Sequence, residues 1–251
     1  MFSTRSAGAI TTSCVTVEGA LTEDVSWLPF LLQTADALFP TGAYAHSLGF
    51  EESVRLGVVR DEGSLRQFLL EHVLPAQREQ ELPYLRFAFD AAQAGDLSEL
   101  RRIDGEISAW KLAAETREAS AQLGVRRLKA LRAILEAPFL AAFERVISAG
   151  TIRGHHLVVC GVQGALGKLP LDAVLGAYFY ASLAAVCAAA LKLIRIGPDG
   201  CQRALRIASA NAADVIQRSH EVRRADAGWF NPLLEIASLR HARAAERLFI
   251  S

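Results

Sequence analysis

The chain predicts an all-α, single-domain bundle of about ten helices built around a long apolar helix, and three observations lead there. Apolar residues recur at three- and four-residue spacing almost from end to end. No window of four to eight residues alternates apolar and polar with β-branched enrichment, so no sheet is expected. Between Ala173 and Leu191 no residue carries a charge, and a helix apolar all round suits the middle of a bundle.

Taken in order, residues 1–24 are rich in Ser, Thr, Gly and Ala and lack an apolar run, so they read as a flexible leader rather than a secretory signal. The all-helical domain is expected over 25–251. Pro40 is expected to end the first helix, because proline lacks an amide donor and restricts the residue before it. Thr41 can cap the next. On that second helix Ser47 and Glu51 are four apart and His46 and Gly49 three apart, so each pair shares a face. A glycine inside a helix costs about 1 kcal/mol against alanine, so something near Gly49 is expected to need the missing side chain.

Leu65, Phe68, Leu69, His72 and Val73 form a stripe with Asp61 or Ser64 as cap, and Leu82, Leu85, Phe89 and Ala92 form another that stops at Gly95. Leu100, Ile103, Ile107, Trp110 and Ala114 alternate by threes and fours. After Gly124 come Leu128, Leu131 and Leu135, ending at Pro138. Phe139, Phe143, Val146 and Ile147 make a short helix closed by Gly150. A helix over His156–Gly167 precedes the long one from Leu171 to about Ile194. Gly197-Pro198-Asp199-Gly200 marks a break. Leu205, Ala208, Ala212 and Val215 lead to a charged loop at 220–226, and Pro232 to Phe249 closes the chain as one or two helices.

Composition narrows function. Lys+Arg and Asp+Glu are both 27, so the net charge is zero, which argues against nucleic-acid or membrane-surface binding. With 51% hydrophobic and 22% charged residues, the chain should associate with partners. Cys14, Cys160, Cys187 and Cys201 form no C-x-x-C pair and no zinc-finger spacing, so they read as reduced residues of a cytoplasmic protein. The uncharged run 173–191 approaches membrane-span length, but its alanines, its flanking Asp172, Lys192 and Arg195, and the lack of a second span favour a buried helix.

Motifs that resemble catalytic ones are incomplete. Gly161-Val-Gln-Gly-Ala-Leu-Gly-Lys168 has valine at the first glycine position of a phosphate loop, Leu169 in place of the magnesium-binding hydroxyl, and no strand before it. Its small residues are expected to let helices approach. Ala45-His-Ser-Leu-Gly49 resembles a nucleophile elbow, which needs a preceding strand. A serine hydrolase using Ser47 with His46, His156 or His241 as base is the alternative enzyme reading. Ser108-Ala-Trp-Lys111 has S-x-x-K spacing without companion motifs and reads as plain helix. His155 and His156 point about 100° apart on a helix and cannot easily share a metal. Arg117, Glu118 and Gln122 read as a solvated helix face. Tyr178 and Tyr180 lie about 200° apart, so one can face the core and the other a subunit interface. No catalytic residue, metal-ligand set or cofactor is expected.

Several segments resemble one family. Leu32 through Glu51, with Asp36, His46, Ser47, Gly49 and Glu51, is similar to the N-terminal signature of urease accessory protein F. His156 to Gln202, with Gly161, Tyr178, Tyr180, Lys192, Gly197 and Gly200, fits the same family, as do the run from Ile236 to Ser251 and, more weakly, Glu115–Gly124. The resemblance implies an all-helical, non-catalytic scaffold. Such a protein binds the D/H-type urease accessory protein, recruits the G-type nickel GTPase, docks on apo-urease and supports GTP-dependent nickel insertion, typically as a homodimer. Carried over by motif, Tyr180 and Tyr178 are dimer candidates. Arg240, His241, Arg247, Leu248, Phe249 and Ser251 are partner-docking candidates. Asp36, His46, Ser47, Glu51 and His156 are internal polar or channel candidates. Gly176 stands where many relatives carry arginine, and Arg195-Ile-Gly-Pro198 departs from the family turn.

Overall fold

A computed structural model describes residues 24–42, 49–241 and 248–249. Among these residues there is no strand, and eleven helices follow one another when the continuous run from Glu62 to Gln93 is counted as one. One cluster of buried apolar residues joins Phe39 near the start to Phe249 near the end.

Helix α1 spans Leu28–Ala35 and stops short of Pro40, because Asp36 turns extended and its carboxylate accepts the Leu38 amide at 2.7 Å. An aspartate that bonds its own backbone in this way competes with helix continuation. Residues 43–48, with His46 and Ser47, lie outside the described residues. Helix α2 is short, Phe50–Arg55, and Gly49 sits just before it with φ +87°, so this glycine serves a left-handed turn and not a helix interior.

From Glu62 the chain stays helical to Gln93, where two separate stripes were expected. The α3 helix, Glu62–Phe68, opens on a capping box between Asp61 and Ser64. Wide π-turns follow at Leu69–Val73 and Gln77–Glu81, separated by the single α-turn α4, Leu74–Ala76, and the second runs into α5, Leu82–Gln93. Each π-turn ends two residues before a proline, Pro75 or Pro83. A proline inside a helix removes an amide and crowds the carbonyl four residues back, and a π-turn widens the helix at that point. The carbonyl of Glu79, four before Pro83, accepts instead from the Gly228 amide at 3.0 Å.

Helix α6, Leu97–Trp110, buries Leu100, Ile103 and Ile107. Helix α7, Ala114–Arg132, runs straight through Gly124, which the sequence reads as a boundary. The glycine is there because a Cβ would collide with the carbonyl of Gly154. Helix α8, Pro138–Ser148, closes before Gly150 at φ +71°, and α9, His156–Leu166, ends at Gly167.

Every residue of α9 from Leu157 to Gly164 is buried. It can approach α5 closely because Gly161 carries no side chain; a Cβ there would lie 2.7 Å from the Phe89 amide nitrogen and 2.8 Å from the Ala88 Cβ. The long apolar helix is α10, Leu171–Leu193. By length and composition it could cross a membrane, yet α1, α2, α5, α9, α11 (Pro198–Ser209) and α12 (Ala212–Glu221) all pack against it. One strip of it stays open, with Tyr180, Ala181, Ala185, Ala188 and Leu191 exposed. The break before α11 is narrower than expected, since Pro198 already occupies the first turn. A 3-10 turn at Arg224–Asp226 leads to α13, Pro232–His241.

Candidate functional site

Two polar regions interrupt the apolar body. The first is the seam between α2 and α13. Gly49 lets the helices meet there, because a Cβ on it would stand 2.6 Å from Ser238 Oγ. His241, only 2% exposed, lies between two carboxylates: its Nε2 is 3.0 Å from Glu51 Oε2, and its Nδ1 is 3.1 Å from Glu115 Oε2 on α7. Each ring nitrogen of His241 thus has a carboxylate oxygen within hydrogen-bond distance. Glu52, 1% exposed, takes Arg55 at 2.6 Å and Arg240 at 3.1 Å. A buried carboxylate without such partners would be costly.

Glu51 also receives the chain's tip. Its Oε1 accepts the Leu248 amide at 2.8 Å and its Oε2 the Phe249 amide at 3.1 Å. Burial opposes ionisation of this carboxyl, but the Leu248 amide, the His241 ring and the Phe249 amide together hold it below the usual glutamate range. Phe249 is 6% exposed, with the Lys192 ammonium 5.2 Å over its ring, whereas Leu248 is 61% exposed.

The second region is a cavity of about 270 Å³ walled by α1, the two π-turns, α9 and α10. One end is polar and closely bonded. Arg127 donates from Nε to His156 Nε2 at 3.2 Å, from Nη2 to the Thr34 carbonyl at 3.1 Å, and from Nη1 to Gln163 Oε1. Gln163 in turn donates to Thr34 Oγ1 at 2.7 Å. Burial, then the neighbouring Arg127 charge, pushes His156 down to about 3, so it is neutral. Its Nε2 lone pair is taken by Arg127 and its proton sits on Nδ1. His156 thus organises the interior and offers a metal no free lone pair in this arrangement. Among the described residues no group of three or more His, Cys, Asp or Glu is placed to hold a metal ion.

His155, next in sequence, points elsewhere. Its two nitrogens meet Ser108 Oγ at 2.8 Å and Ser120 Oγ at 3.1 Å, and burial lowers it to about 3 as well. Asp104 gathers the amides of Arg153, Gly154 and His155 at 2.7, 3.1 and 2.8 Å, pinning the loop that leads into α9. Ser108 is therefore a structural partner of His155.

The expected site residues divide as follows. Glu51, Arg240, His241, Leu248 and Phe249 converge on the α2–α13 seam. Asp36 is exposed and belongs to a local turn, so it is not an internal polar group. Tyr178 faces the cavity, its hydroxyl 3.4 Å from Glu81 Oε2, and burial with that carboxylate raises it well above the usual tyrosine value. Its ring is half-buried, whereas Tyr180 is 53% exposed on the open strip of α10. His46, Ser47, Arg247 and Ser251 lie outside the described residues. Sequence reasoning missed Glu52 and Ser238 at the seam and Thr34, Gln163 and Arg127 in the interior. The consecutive acids Glu51-Glu52 opening a short helix are the signal that could have flagged the first.

The sequence model of the UreF family matches residues 59–208, from before α3 into α11. The urease accessory protein UreF of Paenarthrobacter aurescens (strain TC1) is 35% identical over 226 residues, covering 88% of this chain and 96% of the relative. The protein of the same name from Arthrobacter sp. (strain FB24) is 33% identical with the same coverage. That from Bacillus sp. (strain TB-90) is 27% identical over 221 residues, covering 88% and 97%.

Proposed function

Because the chain belongs to the UreF family of urease accessory proteins, and so has a role in urease maturation, we propose that it acts as the non-catalytic scaffold of nickel insertion. In this reading it bridges the D/H-type accessory protein and the G-type nickel GTPase on apo-urease, in the cytoplasm, and supports GTP-dependent delivery of nickel as cargo. The observation that supports it is similarity over 88% of this chain and 96% of the relative's length.

Two surfaces suit the role. The open strip of α10 around Tyr180 is apolar and small-residued, which fits self-association into a homodimer. The C-terminal seam exposes Arg240 and Leu248 beside buried anchors, which fits docking of a protein partner. A hydrolase built on Ser47 gains no support, since the elbow it needs follows a strand and the described residues contain none.

The test is a pull-down with the purified D/H-type accessory protein, using the full chain and a chain lacking residues 240–251. The full chain should capture the partner and the shortened chain should lose it while keeping its helical circular dichroism. Full binding by the shortened chain would refute the docking assignment.

A further inference from the structure

We propose that the cavity between α1, the π-turns, α9 and α10 binds a small neutral molecule with a hydroxyl or amide N–H head and an apolar body. Gln77 takes the head and the hydrocarbon walls take the body. This goes beyond the scaffold reading and does not depend on it.

One buried atom gives the site its polarity. Gln77 is 2% exposed and lies on the cavity wall, in the second π-turn. Its Nε2 donates to the Glu81 carboxylate, and that contact decides which way the amide faces, since a carboxylate only accepts. Oε1 is therefore turned away from Glu81, and no hydrogen bond from the described residues reaches it. A buried amide oxygen without a donor is costly, and a guest that supplies a donor recovers that cost. Arg86 Nε, Trp110 Nε1 and Ser209 Oγ are the other buried side-chain atoms in this condition among the described residues, and none of those residues lines the cavity.

The remaining polar groups on the wall are engaged with one another. Arg127 donates to His156, Thr34 and Gln163, and Gln163 donates to Thr34. His72 Nδ1 meets Asn231 at 2.8 Å, and Tyr178 directs its hydroxyl to Glu81. The π-turns ahead of Pro75 and Pro83 bring His72, Val73, Gln77 and Glu81 onto one wall, and wide turns of this kind recur at functional sites.

Charge and shape select the guest. Burial lowers the Lys111 ammonium, while Glu81 and Glu235 favour it. With Arg127, these groups balance two cations against two carboxylates, so an ionic guest would lose its hydration and gain no counterion. The walls include Phe50, Phe68, Val174, Val186 and Leu234, around a volume of about 270 Å³. A smaller apolar cavity, of about 150 Å³, already takes a benzene ring. Ala181 and Ala185 both line the cavity and are exposed on α10, so a guest can enter from solvent.

The experiment uses the full chain and the probes phenethyl alcohol, phenethyl methyl ether and phenethylammonium. NMR titration gives the affinities, and Overhauser contacts from the probe ring to the Val174 and Val186 methyls locate it. The alcohol should bind with a Kd of about 1 mM. It should bind about tenfold more tightly than the ether, which has no donor for Gln77, and more tightly than the ammonium. Gln77→Met removes the acceptor at similar side-chain length, so alcohol and ether should then bind alike, with thermal melting as the folding control. The comparison of probes on the unaltered chain tests the site even where that variant does not fold. Equal binding of alcohol and ether by the wild type, ring contacts elsewhere, or tightest binding of the ammonium would overturn the site. Binding of no probe would overturn it as well, since the space would then be filled by the chain itself.

Discussion

Two helix seams meet through a glycine, and they are built in opposite ways. At α5–α9, Gly161 lets backbone press against backbone, and the rest of the contact is apolar and fully buried. At α2–α13, Gly49 opens the same kind of approach, but Glu51, Glu52, Glu115, Arg240 and His241 line it. Dispersion and burial scale with area and have no preferred charge state. Paired charges depend on geometry and protonation, and they contribute little net stability. The first seam is therefore suited to hold the fold, the second to fix one relative arrangement of α2, α13 and residues 248–249.

The largest effect should come from Gly161. Gly161→Val would push a branched side chain into the Phe89 backbone, and denaturant unfolding should show a loss of about 3 kcal/mol or more, if folded protein is recovered at all. Next is acid. His155 and His156 are both held near 3, far under their unfolded value of 6.5, so stability is complete above pH 6.5 and falls as the pH drops from there toward 3. Each contributes a slope of at most about 1.4 kcal/mol per pH unit. Urea melts at pH 7 and pH 5 should show the decline, and His155→Gln should reduce its slope. A flat profile between those pH values would contradict the neutral assignment.

How much of this was legible from the chain follows from the range of each cause. Asp61 with Ser64, Gly150 and Gly167 act within a turn of themselves, and the stops they mark stand where the sequence places them. The stripes Leu65–Val73 and Leu82–Ala92 read as two helices, but a π-turn ahead of Pro75 and of Pro83 lets one helix continue, and the carbonyl of Glu79 finds Gly228 nearly 150 residues away. Gly124 misleads for the same reason, since what needs its small size is the carbonyl of Gly154. The site behaves alike. Glu51 and His241 each stand out as polar groups in apolar surroundings, but they are 190 positions apart and no spacing rule pairs them.

A middle-sized effect is expected at the second seam. Gly49→Ala should cost about 1–2 kcal/mol, from the left-handed backbone and from Ser238. Ser238→Ala should recover only the part due to crowding, measured by the same melts. The smallest effect on stability should come from Tyr180→Asp, within about 0.5 kcal/mol as for other exposed positions. Light scattering should nevertheless show a shift toward monomer, and an unchanged mass would remove the α10 strip from the dimer.

The most direct measurement is a double-mutant cycle on partner affinity with Glu51→Gln, His241→Gln and the pair, each checked for folding by thermal melting. If the two ends of the chain work as one unit, the two losses should fall short of adding by more than about 1 kcal/mol. Strictly additive losses would show that the seam joins two groups with no shared task, and the account would fail.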